Sequence, residues 1–382
     1  MASDRIEWVV DASRFAELRD PWDALARGPY EPFMRHAWFD AWWNAFGQER
    51  ELRICLAWRG KELCAVLPLH ARSRHRLEAM ANWEVTPVFQ PLARDRRALE
   101  TVAAAAFAQS SVLEMWGIPA QATSLAGFEA AAGRAKRILS VDQGEIQPIT
   151  ATRGAFSEYR QKMKHGWREI ERRRRKLVRE HDASFRLIGS GADWLEDLNR
   201  GLTLEAKGWK GDRRTAVLSS QPTERFYRAI VHDLHERGEF APSSLWVDGR
   251  IVAFDLALVH DSRYYLLKTA YDEDFREHGP GLILRLSVIE RCFEMGLDAH
   301  EFLGLDMPWK RLFSTDEREH RVVRAYARRP LPLLRLSVHR GAPAAARAAY
   351  QRLRVLPDLR ARRRSRKAAR ASRKRRGSVG PR

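Results

Sequence analysis

The sequence predicts an α+β (mixed αβ) chain: two successive lobes, each a mixed, mostly antiparallel sheet flanked by helices, followed by a basic tail expected to be disordered. Three observations carry this. Helical and strand periodicities alternate along the first 330 residues. Strands come in hairpins around short polar turns, at Arg59-Gly60-Lys61 and at Asp248-Gly249. After Pro330 the composition changes. Residues 331–382 hold 17 Lys and Arg against the single Asp358, a net of +16 within a total of +19. The body is therefore almost neutral, and the high overall charge is no argument that it binds nucleic acid.

Composition sets further bounds. A chain of 382 residues, 45% apolar with 13 Trp, has material for two packed domains, expected at 1–150 and 151–330, and a tail at 331–382. No apolar run approaches the roughly 18 residues that cross a membrane. The opening Met-Ala-Ser-Asp-Arg-Ile-Glu-Trp is not a secretory signal. A cytoplasmic protein is expected, either free or peripheral to the inner face of the membrane. Cys55, Cys64 and Cys292 form no disulfide framework and read as buried free thiols. His232-x-x-His235 has helical spacing but no third ligand nearby, so no metal is expected. There is no CxxC pair, no HExxH and no Gly-x-Ser-x-Gly elbow.

In the first lobe, helices are expected at 12–28 and 33–46, the second with Trp38, Trp42 and Trp43 in its core. A hairpin pairs Leu52–Trp58 with Leu63–His70. Residues 77–93 are strand-like but broken by prolines. A helix at 96–109, a strand at Val112–Gly117, a helix at 124–137 and a strand at 138–149 complete the lobe.

The second lobe opens on a basic helix, 156–181, with ten Lys and Arg against three Glu over 160–181. Most of these charges read as a solvated face. A contact for CoA phosphates, a tRNA acceptor stem or anionic lipid is the other reading. A strand at Phe185–Ile188, helices at 192–207 and 222–237, the Asp248-Gly249 hairpin and a strand at Arg263–Ala270 follow. A helix with Leu282, Leu286, Ile289 and Phe293 in one stripe comes next, stopped by Gly296. Strands at Ala299–Leu305 and Val322–Ala327 end the lobe. In the tail, 331–338 reads as a short amphipathic segment and Ala344–Leu356 as a helix.

Between the third strand and the striped helix lies Arg276-Glu-His-Gly279-Pro280-Gly281. Glycines at such a handover let backbone N–H groups face outward. The first helical turn adds free donors and the positive end of the dipole. Together they suit a phosphate or pyrophosphate. An ordinary turn with Pro280 starting the helix explains the same residues. No Gly-Lys-Ser/Thr is present, so this is not a P-loop, and no third glycine stands at dinucleotide spacing.

Arg-x-x-Gly-x-Gly in this setting resembles the acyl-CoA pyrophosphate loop of the GNAT N-acetyltransferases. Glu205-Ala-Lys-Gly-Trp209-Lys210-Gly211 with Thr215-Ala216 resembles a block of the BioF2-like, or cellulose-biosynthesis CelD-like, acetyltransferases. Lys268-Thr-Ala-Tyr271-Asp272-Glu273, Pro280-Gly281 and Phe302-Leu303-Gly304 with Lys310 are similar to later blocks. Asp212-Arg-Arg214 and His278 depart from that pattern. The likeness covers roughly residues 30–326 and implies a FemAB-like double GNAT fold whose first lobe lacks the phosphate loop.

The resemblance implies acetyl-CoA or another acyl-CoA as co-substrate. It places the pantetheine between strands Arg263–Ala270 and Ala299–Leu305. Thr269, Arg276, Gly279, Pro280 and Gly281 are then expected at the cofactor. Attack by an amine on a thioester needs a base, for which Glu205 leads and Asp272 follows. Glu205 also reads as a surface glutamate paired with Lys207 or Lys210, and Asp272 as a residue holding its own turn. Tyr271 is a candidate proton donor to the thiolate. Trp209, Lys210, Lys268 and Lys310 are candidate substrate-binding residues. The expected acceptor is an amine of a sugar, a cell-envelope or polysaccharide precursor, or a small metabolite. A FemAB-type transferase using aminoacyl-tRNA, and a non-catalytic protein docking on membrane or RNA, are the rivals. The 331–382 tail suits an anionic membrane surface or RNA.

Overall fold

The computed structural model describes residues 4–341, apart from 29, 164–165, 190 and 209–214. Fifteen strands lie among the described residues. The first lobe holds β1 (Arg5–Val9), β2 (Glu51–Leu52), β3 (Ile54–Arg59), β4 (Glu62–Leu67), β5 (Leu69–Ser73), β6 (Arg76–Ala79), β7 (Leu92–Ala93), β8 (Val112–Pro119) and β9 (Ile138–Ala151). The second holds β10 (Ala183–Arg186), β11 (Ser243–Val247), β12 (Arg250–His260), β13 (Arg263–Tyr271), β14 (Ala299–Glu301) and β15 (Asp316–Tyr326).

A four-stranded sheet runs β1-β3-β4-β7. An eleven-stranded sheet runs β10-β11-β12-β13-β14-β9-β15-β8-β6-β5-β2 and joins the two lobes. β15, from the second half of the chain, lies between β8 and β9 of the first. Sequence order and sheet order therefore part company at the lobe boundary.

Local chemistry explains the elements that match expectation. The helix Arg96–Gln109 starts where the Asp95 side chain accepts from Ala98 N–H (2.8 Å). The β3–β4 and β11–β12 hairpins turn through Gly60 (φ +62) and Gly249 (φ +77), a left-handed conformation that glycine adopts without strain.

Elsewhere the structure corrects the sequence reading. β1 was not expected. The helix expected at 12–28 is two, Ala12–Ala16 and Arg19–Ala26. The basic helix is also two, Phe156–Lys162 and Gly166–Glu180, broken where Met163 turns extended (ψ 114°) and buries its side chain. The strand expected at Ala299–Leu305 stops at Glu301. Pro330–Gly341 is a helix; the remainder of the expected tail, including Ala344–Leu356, lies outside the described residues. No described helix is long and apolar enough to cross a membrane.

One apolar core passes through both lobes, from Trp22, Phe33, Trp38 and Phe89 to Phe226, Tyr227, Leu256, Leu258 and Tyr265. Phe33 meets Tyr265 edge-on (5.4 Å between centroids), and Trp38 meets Phe226 likewise (5.3 Å). Polar ties cross the same seam. The Tyr265 hydroxyl donates to Glu31 (2.6 Å), and Arg35 is paired with Glu239. A second core lies between β11–β13 and the helix Pro280–Glu294 and contains Cys292. All three cysteines are buried and free.

Four buried histidines make the fold sensitive to acid. Burial holds His36 and His300 below the ordinary value of 6.5, His300 well below it; it lowers His70 to about 3 and His320 to about 4. Below pH 6.5 the unfolded chain binds protons that the folded chain refuses. The stability from these groups is complete above that value and is lost as pH falls towards the folded pKa values. Each contributes at most about 1.4 kcal/mol per pH unit. The melting temperature should fall by several degrees between pH 7.5 and 5; a flat profile would show that these rings protonate without cost.

Candidate functional site

β13 and β14 run parallel, but their pairing covers only Arg263–Tyr265 against Ala299–Glu301. Beyond Tyr265 the strands separate. Phe302 follows β9 instead, its N–H donating to Pro148 O (3.2 Å). The chain then turns through Leu303 (φ +49) and Gly304 (φ +55), away from β13. On that side Leu266–Tyr271 has no strand opposite it among the described residues. The result is a V-shaped gap between adjacent strands, as expected for this pair.

A buried cluster sits at the closed end of the V. Arg285, on the helix Pro280–Glu294, donates to Asp255 on β12 (2.6 Å) and lies 2.8 Å from the His300 ring on β14. Arg285, Asp255 and His300 are all at most 1% exposed. One guanidinium thereby links β12 to β14 across the intervening β13. Breaking such a buried pair leaves an uncompensated charge.

The two faces of β13 serve different neighbours. Thr269 lies opposite Asp255, so it shares the face covered by the helix Pro280–Glu294. Lys268 lies opposite Leu256, on the face covered by the helices Trp194–Lys207 and Gln221–Glu236. Its ammonium stands 5.1 Å from the ring centroid of Tyr227. Lys268 is therefore placed across the sheet from the glycine turn.

At the open end, Glu273–His278 forms a 3-10 turn and Gly279 adopts φ +67. Gly279 N–H donates to Arg276 O (3.0 Å), while the Arg276 side chain is exposed. Pro280 begins the helix and has no N–H. Leu282 and Ile283 N–H both turn back on Gly279 O (3.0 and 3.1 Å). Gly281 N–H has no acceptor among the described residues. A Cβ built at Gly281 would touch only the Tyr271 side chain, at 3.4 Å. One built at Gly279 would lie 3.2 Å from the Arg173 guanidinium. Arg173 also binds Glu169 (2.8 Å), which leaves further donors for an anion. The sequence offered no way to single out Arg173 among the ten Lys and Arg of 160–181, because only the docking of the helix selects it.

The remaining candidates fall in two groups. Glu205 is 3% exposed and accepts from Val217 N–H (2.9 Å). It is not the surface partner of Lys207: that ammonium binds Asp274 (2.9 Å) and Asp272 (3.2 Å). Asp272 also accepts from Asp274 N–H (3.1 Å), which is the turn-holding role. Lys310, expected among the substrate-binding residues, is instead 6% exposed and turned inward. It donates to Leu303 O and to Leu305 O, the latter at 2.7 Å, and so pins the far lip of the V. Lys310→Met should lower stability by about 1–3 kcal/mol, since it strips donors from buried carbonyls. Equilibrium denaturation measures this, and no change would mean that water replaces the ammonium. Trp209 and Lys210 lie outside the described residues. No cluster of three metal-ligating side chains occurs among the described residues, and His235 stacks on Trp194 (4.4 Å).

Residues 164–311 match the family model described as Acetyltransferase (GNAT) domain. No curated protein matches the sequence. Among solved structures, the chain is similar to the C-terminal (DUF2156) domain of a putative lysylphosphatidylglycerol synthetase from Agrobacterium fabrum. That likeness has a TM-score of 0.52 and 14% identity over 82% of this chain and 93% of the other. It is also similar to FemX, with a TM-score of 0.51 and 11% identity over 82% of this chain and 96% of that one. The protein thus carries a GNAT acyltransferase domain and has a FemAB-like double GNAT fold. It is an acyltransferase enzyme.

Proposed function

We propose that the protein is an acyl-CoA-dependent N-acyltransferase, and that the gap between β13 and β14 takes the acyl-pantetheine arm. The observation that carries this reading is the gap itself, with the Gly279–Gly281 turn and Arg173 at its open end. An extended arm laid along Leu266–Tyr271 finds an edge that no strand among the described residues occupies. The diphosphate at its end finds Gly281 N–H, the helix dipole and a guanidinium. Thr269, Tyr271 and the exposed Arg276 line or flank that end.

The amine comes from the opposite face, where Glu205 and Lys268 lie. Glu205 takes a proton from the ammonium and frees the nitrogen lone pair. The nitrogen attacks the thioester carbonyl, a backbone N–H of the open edge stabilises the oxyanion, the C–S bond breaks, and the surplus proton on the attacking nitrogen passes through water to the departing thiolate. Holding both substrates across one strand supplies much of the rate gain. The acceptor is an amine of a sugar, an envelope or polysaccharide precursor, or a small metabolite, and the reaction takes place in the cytoplasm. Basic residues of the tail bring the enzyme to an anionic surface.

Native mass spectrometry of protein purified from cells tests the donor. Retained CoA or acyl-CoA supports the proposal. Retained tRNA in its place would favour an aminoacyl-tRNA donor.

A further inference from the structure

The paired strands β9 and β15 have two ends. At one, Ile149 pairs with Asp316 and, on its other edge, with Glu301 of β14 beside the gap. At the other, Ile138 pairs with Tyr326. Here a hollow of about 400 Å³ opens between the C-terminal ends of the helices Arg96–Gln109 and Ser124–Arg134. His75, Lys136, Arg137, Arg328 and Arg329 line it, and no carboxylate does. The half-buried Arg137 donates to Ser110 O (2.9 Å) and to Phe107 O, and Arg328 to Lys136 O (3.1 Å). The side chains of Lys136 and Arg329 have no hydrogen-bond or ion-pair partner among the described residues. Burial first, then the charge of Arg329, lower the pKa of Arg137. The two helix ends offset only about one unit of charge between them. Lys136, Arg137, Arg328 and Arg329 outweigh that, so the hollow is strongly positive and suits a phosphate.

The helix Pro330–Gly341 springs from the rim of the same hollow. Leu336 is buried with Val112 and Tyr326, which docks the helix on the end of the sheet. Its outer side carries Leu331, 75% exposed, and Leu334, 61% exposed, the two most exposed large apolar side chains among the described residues. Positions three apart are neighbours on a helix, and the exposed Arg335 stands one turn from Leu331. Leucines beside a cationic hollow suit a partner that is anionic at its face and apolar beneath it. RNA offers the phosphates but no apolar layer for the leucines.

We propose that this face docks on an anionic phospholipid bilayer, with a lipid phosphate in the hollow and Leu331 and Leu334 at the boundary between headgroups and acyl chains. The proposal rests on the attraction of the tail to an anionic surface, read above, and gives that attraction a place on the folded body. It is independent of donor and acceptor. The docked face and the gap lie at opposite ends of the β9–β15 pair, so the gap stays open to its substrates.

Co-sedimentation of the full chain with vesicles tests this. One set is phosphatidylcholine with about one-third phosphatidylglycerol, the other phosphatidylcholine alone. The wild type should partition at least about tenfold more strongly onto the first. Leu331→Ser with Leu334→Ser should weaken that binding about tenfold or more, through lost apolar burial. Lys136→Gln with Arg329→Gln should weaken it about tenfold, since each cation near such a surface contributes roughly fivefold. All four side chains are exposed, so neither pair should move the melting temperature or the affinity for acetyl-CoA. Leu331→Cys carrying an environment-sensitive fluorophore should shift to the blue only when anionic vesicles are added; the three native cysteines are buried.

Leucine and cation variants that bind these vesicles as the wild type does would overturn the proposal and leave the attraction to the tail alone. A fluorophore already shielded in buffer would overturn it too, because the chain would then cover its own leucines. Binding of a short RNA duplex in place of the vesicles, lost only in the cation pair, would assign the face to nucleic acid instead. A wild type that binds neither vesicle overturns the tail's attraction along with the docking face, whatever its affinity for acetyl-CoA.

Discussion

Gly281→Asp should bind acetyl-CoA about a hundredfold more weakly than the wild type while melting no lower. The two effects separate because one charge meets two different neighbours. A carboxylate in the first turn of the helix Pro280–Glu294 interacts favourably with the dipole and is worth about 0.3–1 kcal/mol. Space for it exists: the added Cβ makes an ordinary 3.4 Å contact with Tyr271, and φ at Gly281 is not left-handed. A bound diphosphate meets that same carboxylate at close range, beside the residue-281 N–H that it would accept from. Calorimetric titration beside a melting curve reads both. A variant that melts lower and binds more weakly in proportion would mean only that the turn had been damaged.

Glu205→Gln should lower kcat by about a hundredfold or more, the usual worth of a positioned general base, with little change in acetyl-CoA affinity. The substitution suits the test because it keeps the structural contact. Val217 N–H donates to Glu205 Oε2, and the amide oxygen of glutamine accepts in its place. The negative charge and the basic function are lost while that contact stays. An unchanged kcat in a variant that melts like the wild type would return Glu205 to a purely structural role and move the base elsewhere on the acceptor face.

Much of this was legible in the sequence where the cause is local. The Asp248-Gly249 hairpin, the helix expected at 96–109 and the helix begun by Pro280 each depend on residues within a few positions of one another. The gap beside β13 was expected from the likeness of residues 30–326 to a known group, not from periodicity. What stayed hidden depends on contacts distant in sequence. Lys310 faces the Leu303–Leu305 loop because two left-handed residues fold that loop back over it. Arg173 is picked from a basic run by the way its helix docks against the turn. Glu84 sits in a proline-broken stretch with no motif, and only the meeting of the lobes pairs it with the Thr223 hydroxyl (2.9 Å). β15 crosses into the sheet of the first lobe, which no local pattern announces.

The central claim is that the β13–β14 gap and the Gly279–Gly281 turn together hold an acylated pantetheine and its diphosphate. Titrating the protein with acetyl-CoA and with acetyl-pantetheine, which lacks the nucleotide diphosphate, tests it most directly. Saturable binding of acetyl-CoA, at least a hundredfold tighter than acetyl-pantetheine, is the predicted result. No binding of acetyl-CoA, or equal affinity for the two, would contradict it.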